Sequence, residues 1–364
     1  MLWGRPIQVV KPRRGDPRLR LSGVIVALQI LGQTVLGFKV SIAQILLTVA
    51  VCGLIDLAMT IWRQAVVAVP ASGMLTGNSV AFILRASGTR HGDWWSLHGI
   101  GFFVLAGVLS MASKYLIRVG RGHLFNPSNV GIVWTLLVIG PTHVFAQYLW
   151  WGPLGAPVVA ALAVILVGGP WVLRSVGMIP MAASFLVTFA ALIGLLALGG
   201  HSFVAIWHAG AVSGLSYWAD ICTSPEVLVF VFFMMSDPQT APEAPLGRVI
   251  FGTTTAVVAA GLVFLEPTEF GIKVAILASL TASCALVPMI ELAVRRSQAA
   301  AGGRMRAALE LRPSLPGLAR RALRPAVAAA IVVALAAPAD TAALRSNSQL
   351  LIIEKGFVGK ANSQ

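Results

Sequence analysis

The sequence predicts an all-α polytopic membrane protein with about ten transmembrane helices and, in addition, two broken half-helices. Hydrophobic residues make up 57% of the 364 residues, and charged residues only 11%. The mean hydropathy of +0.84 lies outside the range of soluble globular proteins. Long apolar runs recur near residues 22–38, 40–62, 97–113, 127–142, 154–172, 181–198, 203–219, 248–264 and 272–292.

The clearer broken segment lies in the second half of the chain. Ser224 suits the N-cap of a helix and Pro225 its first position, whereas Asp237-Pro238 ends the apolar run. These limits leave about 11 helical residues, or roughly 16 Å at 1.5 Å each. A bilayer core is about 30 Å thick, so this helix is expected to end inside the membrane among protein groups.

A weaker counterpart lies in the first half, where Thr76-Gly77-Asn78-Ser79 precedes an apolar run from Val80 to Arg85. Broken segments at matching places in two halves of a membrane protein indicate a binding site near the bilayer midplane. The order of long runs and broken segments also suggests an internal duplication.

The net charge of +14 is concentrated beside the apolar runs. Residues 1–21 form a basic segment, residues 22–292 the transmembrane bundle, and residues 293–364 a basic tail with a short apolar segment at 325–337. The positive-inside rule predicts that both termini are cytoplasmic, and that the acidic loop Glu266–Glu269 faces the other side. This placement indicates membrane lipid as a partner and argues against nucleic acid.

Four polar residues invite two interpretations each. Asn126 is a good N-cap before Pro127, but Asn126 and Asn129 could also present amide groups to a ligand. Asp237 is either a cation or flavin contact, paired with a basic group such as Arg248, or a turn former before proline. Asp56 lies inside an apolar run, where functional and structural roles are evenly matched. Asp220 and Glu226, at the start of the second broken segment, are expected to be solvated.

Three stretches resemble the RnfD/NqrB family of membrane electron-transport subunits. They are Phe125-Asn126-Pro127, the string from Phe233 to Pro242, and Gly247-Arg248 with Phe251-Gly252. The resemblance covers roughly residues 70–290. The sequence from Leu75 to Trp95 more closely resembles stand-alone members of the family, which are found beside enediyne and other biosynthetic genes.

The resemblance implies an inverted-repeat, urea-transporter-like bundle in the bacterial cytoplasmic (inner) membrane that holds flavin within the membrane. It also implies redox partner subunits and coupling to cation translocation. Transferred to this sequence, it gives the candidate cofactor-binding residues Thr76, Asn78, Asn126, Asn129, Asp237 and Thr240. No catalytic or metal-ligating residues are expected, because no nucleophile with a neighbouring base and no metal-ligand spacing occurs.

One departure concerns the cofactor. Family members in the large complexes attach FMN to a threonine soon after the span that follows the Asn-Pro element. Residues 148–157 contain neither serine nor threonine here. Covalent FMN is therefore not expected at this place, whereas non-covalent riboflavin or FMN stays open.

Three functions follow as hypotheses. The first is a membrane subunit of a flavin-linked electron-transfer system, coupled to cation translocation. The second is a small-solute or ion transporter or channel on the same fold without a redox role. The third is a membrane accessory protein of a biosynthetic pathway.

Overall fold

The computed structural model describes residues 8–10, 17–119, 122–147 and 155–301. In these ranges the chain is mainly helical, and its strands are two or three residues long. The helices are α1 (Pro17–Thr34), α2 (Ile42–Gln64), α3 (Ala71–Ile83), α4 (Ile100–Leu116), α5 (Pro127–Ile139), α6 (Ala156–Val176), α7 (Ile179–Leu198), α8 (Gly214–Cys222), α9 (Pro225–Val229), a π-helical turn (Phe230–Met234), α10 (Pro245–Phe264) and α11 (Glu269–Ala301). The strands are β1 (Gln8–Val10), β2 (Val66–Ala68), β3 (Leu84–Ala86), β4 (Arg118–Val119), β5 (Gly122–His123), β6 (Val144–Ala146), β7 (Ser202–Val204) and β8 (Ala211–Ser213).

Five helices in the described ranges are long and apolar enough to cross a membrane: α2, α6, α7, α10 and the run Gly214–Met234. A sixth is added if the two arms of α11, Glu269–Cys284 and Val287–Gln298, form one span bent by 51°. The apolar helices α4 and α5 are shorter. The chain thus has the helices of a multi-pass membrane protein. Of the roughly ten transmembrane helices predicted from the sequence, five or six in the described ranges meet this length test.

Local capping explains where several helices begin. Ser41 and Gln44 form a reciprocal capping box at the start of α2. Asn126 caps α5 with Pro127 in its first turn, and Ser224 caps α9 with Pro225 in the same place. The two predicted N-caps are therefore confirmed.

Glycines allow close helix contacts within each half of the chain. A Cβ atom at Gly77 of α3 would lie 2.6 Å from the backbone oxygen of Thr48 on α2. One at Gly107 of α4 would lie 3.0 Å from the Sγ atom of Cys52, also on α2. In the second half, Gly252 of α10 abuts the backbone of α7 in the same manner. The halves meet where α1 packs on α6 and α5 on α11.

The first residues of α1 and the last residues of α11 lie at the same end of the bundle. Arg20 of α1 stacks on Trp171 near the end of α6, with its Cζ atom 5.3 Å from the ring centre. Arg248 of α10 donates from Nη1 to the backbone oxygen of Gly177, directly after α6, over 2.8 Å. The backbone N–H of Glu243, just before α10, donates to Glu291 of α11.

The two broken segments differ from their predicted form. Helix α3 begins at Ala71, so Thr76–Ser79 lie inside the helix and not before it. It remains short, with 13 residues, and ends where the extended strand β3 pairs with β6. In the second half, Pro225–Met234 is helical as predicted, but α8 precedes it after a break at Thr223 and Ser224. The second broken segment thus has the predicted bounds, and α8 lies directly before it in the chain.

The apolar run 203–219 is not one long helix. Its first part forms the hairpin β7–β8, and α8 begins only at Gly214. Gly210 and Gly214 have positive φ angles of 87° and 60°, which favour a turn over a continuous helix. Most of the predicted basic segment 1–21, the stretch 148–154, and the tail beyond residue 301 with its apolar segment 325–337 lie outside the described residues.

Candidate functional site

Asn126 joins the start of α5 to the end of the π-helical turn. Its Oδ1 atom accepts from the backbone N–H of Asn129 at 3.3 Å and from the hydroxyl of Ser128 at 2.9 Å. Its Nδ2 atom donates to the backbone oxygen of Met234 at 2.9 Å. This carbonyl lies at the end of a helical segment, where the helix itself offers it no N–H donor. One buried amide thus satisfies two helix ends, and we call this contact the junction.

Asn129 extends the junction to α11. Its Nδ2 atom donates to the backbone oxygen of Leu277 at 2.9 Å and to the hydroxyl of Thr281 at 2.8 Å. Its Oδ1 atom is buried without a hydrogen-bond partner in the described part of the chain. A buried acceptor in this state can receive a hydrogen bond from a ligand or a water molecule.

Asp237 and Thr240 lie in the turn that follows the π-helical turn. The Oδ2 atom of Asp237 is 2.9 Å from Nε2 of His123 on β5, and its Oδ1 atom accepts from the backbone N–H of Gln239 at 3.0 Å. The hydroxyl of Thr240 donates to the backbone oxygen of Asp237 at 3.2 Å. The thiol of Cys284, from α11, contacts the Thr240 side chain and the Asn126 backbone.

The basic partner of Asp237 is not Arg248. The Nε atom of Arg248 donates to the backbone oxygen of Pro242 at 3.1 Å, and its Nη1 atom donates to Gly177. Arg248 therefore binds two carbonyl groups, while His123 faces the carboxylate. Asp237 also forms the turn before Pro238, because its side chain accepts a hydrogen bond from the backbone N–H two residues later.

A cleft of about 530 Å³ opens beside this turn. Its polar lining includes His123, Gln239 and Thr240, and its apolar lining includes Leu124 and Val287. This volume lies within the range of small-molecule pockets, which combine apolar walls with a few polar groups.

Thr76 and Asn78 lie apart from the junction. Both are buried on α3, and the Thr76 hydroxyl donates to the backbone oxygen of Ser72 within the same helix. The hydrogen bonds described for these residues do not reach Asn126, Asn129, Asp237 or Thr240. The structure therefore brings together four of the six candidate residues.

Asp56 anchors a first buried charge cluster, at the start of α3. Its carboxylate accepts from the Nζ atom of Lys114 at 2.5 Å, from the hydroxyl of Tyr115 at 2.5 Å, and from the backbone N–H of Gly73 at 2.9 Å. Lys114 also donates to the hydroxyl of Ser72. A carboxylate at a helix N-terminus is favourable for both the dipole and the free N–H groups. Asp56 thus has a clear structural role.

Sequence reasoning missed a second charge cluster, which we call the triad. The Nζ atom of Lys273 lies 2.8 Å from Oε1 of Glu269 and 3.1 Å from Oε1 of Glu226. The side chain of Glu226 is 13% exposed and that of Glu269 is 6% exposed. The prediction that Glu226 is solvated is therefore wrong, and Glu269 does not belong to an open acidic loop. The i, i+4 spacing of Glu269 and Lys273 was the available signal.

Within the described ranges, no group of three or more His, Cys, Asp or Glu side chains is arranged to hold a metal ion. Comparison with protein-family profiles and with curated proteins finds no match to this sequence. The kinship with the RnfD/NqrB family therefore stays a prediction from the residues quoted above.

Proposed function

We propose that the protein is an integral membrane subunit of a flavin-linked electron-transfer system of the RnfD/NqrB kind. In this proposal, partner subunits supply the electron donor and acceptor, and cation movement is the coupled step. The observation that carries the proposal is the junction, where Asn126 and the turn with Asp237 and Thr240 meet beside the cleft. These residues belong to two of the three stretches that carry the family resemblance.

The helix contacts support an inverted repeat. Helix α4 runs parallel to α2 in the first half, since Gly107 meets Cys52 and Tyr115 meets Arg63. In the second half α10 runs parallel to α7, and in both halves the following helix returns antiparallel, α5 on α4 and α11 on α10. The central pairs α1–α6 and α5–α11 are themselves antiparallel, as a two-fold axis in the membrane plane requires.

The residues of the cleft fit a non-covalent flavin. An isoalloxazine ring needs apolar walls, which Leu124 and Val287 provide, and partners for its carbonyl and N–H groups. Gln239 and His123 would hold those polar edges, because both line the cleft and carry donors and acceptors. A bound flavin would supply one- and two-electron chemistry at this place. The protein would orient the ring and exclude water from it.

The test is to purify the full chain in mild detergent, record its visible spectrum, and extract the cofactor with acid. We expect a flavin band, and a lower flavin content in the variant Gln239→Leu. The control variant Thr142→Val changes an exposed residue away from the cleft and should keep the full content. Protein without a flavin band and without extractable flavin would contradict the proposal.

A second candidate is a cation transporter or channel on the same fold without a redox role. It is favoured by the triad, whose three ionisable side chains are largely buried. Ionisable groups inside apolar helices mark ion pathways in many membrane proteins. Flavin-free protein that moves sodium ions or protons into liposomes would favour this candidate over the first.

A further inference from the structure

We infer that the triad of Glu226, Glu269 and Lys273 is a binding site for one small monovalent cation, a sodium ion or a proton. The inference deepens the cation-coupling part of the proposed function and names the residues that would carry it. It does not depend on flavin binding.

The first argument is the position of Lys273 between two helices. Glu269 precedes it by one turn on α11, and Glu226 reaches it from the first turn of α9. The same ammonium group therefore serves two carboxylates at 2.8 and 3.1 Å. The contact with Glu226 joins α9 to α11, whereas Glu269 and Lys273 lie on the same helix.

The second argument is burial. The side chain of Lys273 is 5% exposed, and both carboxylates are largely covered. Removing charges from water costs several kcal/mol per ion, which apolar residues of the same size would avoid. Buried ionisable groups in a membrane protein are therefore candidates for an ion or proton site.

The third argument is a buried oxygen atom that has no hydrogen-bond partner in the ranges that the structure describes. The Oε2 atom of Glu269 is buried and has no hydrogen-bond partner among the described residues. A carboxylate oxygen accepts a proton or coordinates a hard cation. When the cation binds at Oε2, Glu269 is neutralised and Lys273 keeps Glu226 as its ionic partner. If the cation is a proton, it forms the O–H bond on Oε2 and no other bond changes.

The charged side chains of Glu266 and Arg85 also reach this part of the fold. Glu266 lies in the turn before α11 against Gly271. Arg85 of β3 lies over the ring of Phe145, which packs on Phe270 of α11. The infrared signal of Glu269 must therefore be distinguished from that of Glu266.

The experiment uses the full chain in detergent with two probes. Equilibrium binding of ²²Na⁺ measures the sodium ion, and infrared spectroscopy over a pH series measures the C=O stretch of a protonated carboxyl group. The variants are Glu269→Gln and Glu226→Gln, each of which removes one carboxylate of the triad. The control variant Asp93→Asn removes an exposed carboxylate from the loop between β3 and α4.

We expect one of two results. Saturable ²²Na⁺ binding that weakens about tenfold or more in Glu269→Gln, but not in Asp93→Asn, identifies a sodium site. A titrating carboxyl band that is lost in Glu269→Gln, without sodium binding, identifies a proton site. Glu226→Gln serves as the second variant if Glu269→Gln does not fold.

Neither sodium binding nor a titrating band, or signals that survive both variants, would overturn the inference and leave the triad as a structural ion bridge. Failure of the proposed function gives a different pattern. In that case the protein lacks flavin, whatever the cation experiments show.

Discussion

Neutralising Asp56 should weaken the first half of the bundle strongly. The carboxylate accepts hydrogen bonds from three donors, on Lys114, Tyr115 and the backbone of Gly73. The side chain of Asp56 is 8% exposed and that of Lys114 is 12% exposed. Asn at position 56 would keep one acceptor oxygen and turn an amide NH₂ toward one of these donors. It would also leave the ammonium of Lys114 buried without its counter-charge.

Breaking a buried ion pair on one side costs about 3–5 kcal/mol. At roughly 2–4 °C per kcal/mol for a chain of this size, the variant Asp56→Asn should lower the Tm by roughly 6–20 °C. Thermal unfolding in detergent can be followed with a thiol-reactive dye, because Cys52 and Cys284 are buried in the folded protein.

Two comparisons test the reasoning. Asp93→Asn removes an exposed carboxylate and should change stability by less than about 0.5 kcal/mol. Lys114→Met combined with Asp56→Asn should cost less than the sum of the single variants, because the second change removes the orphaned charge. If Asp56→Asn has the same Tm as Asp93→Asn, the ion pair does not hold α3 in place, and the argument fails.

Three further predictions concern helix ends, packing and pH. Asn126→Ala removes the cap of α5 and the donor to the end of the π-helical turn. It should lower the free energy of unfolding by about 1–3 kcal/mol in the same assay. An unchanged Tm would contradict the role of the junction. Gly252→Ala should cost about 1–3 kcal/mol, because its Cβ atom would press on the backbone of α7, whereas Gly261→Ala on the same helix has open space and should be neutral or stabilising. Burial raises the pKa of the Glu266 carboxyl, so the folded chain binds more protons than the unfolded chain just above the ordinary pKa of the group. Stability should therefore be greatest below that pKa and fall as the pH rises through this window, and Glu266→Gln should abolish this part of the slope in a series of Tm measurements from about pH 4 to 7.

Local signals in the sequence predicted the helix caps. Ser224 with Pro225 and Asn126 with Pro127 act through atoms within three residues, so their geometry follows from the local chain. The same holds for the turn at Asp237, which accepts from a backbone group two residues away.

Partners far apart in the chain were not predictable from one sequence. Asp56 and Lys114 are 58 residues apart, and nothing local to either indicates the pairing. His123 was overlooked as the partner of Asp237 for the same reason. The β7–β8 hairpin was missed because its residues are as apolar as those of a helix, and hydropathy alone does not distinguish the two.

The bend in α11 divides this helix into two arms, one at the triad and one at the cleft. Lys273 lies on one arm and Glu291, which borders the cleft, on the other, with the 51° bend between Cys284 and Val287. The distance from the bend to Lys273 is about 11 residues, or roughly 16 Å along the helix. A rotation of about ten degrees would shift Lys273 by roughly 3 Å, enough to separate it from Glu226 while Glu269 travels with it. A change in the bend angle near Pro288 would therefore link ligand binding at the cleft to the position of the triad on the other arm of α11.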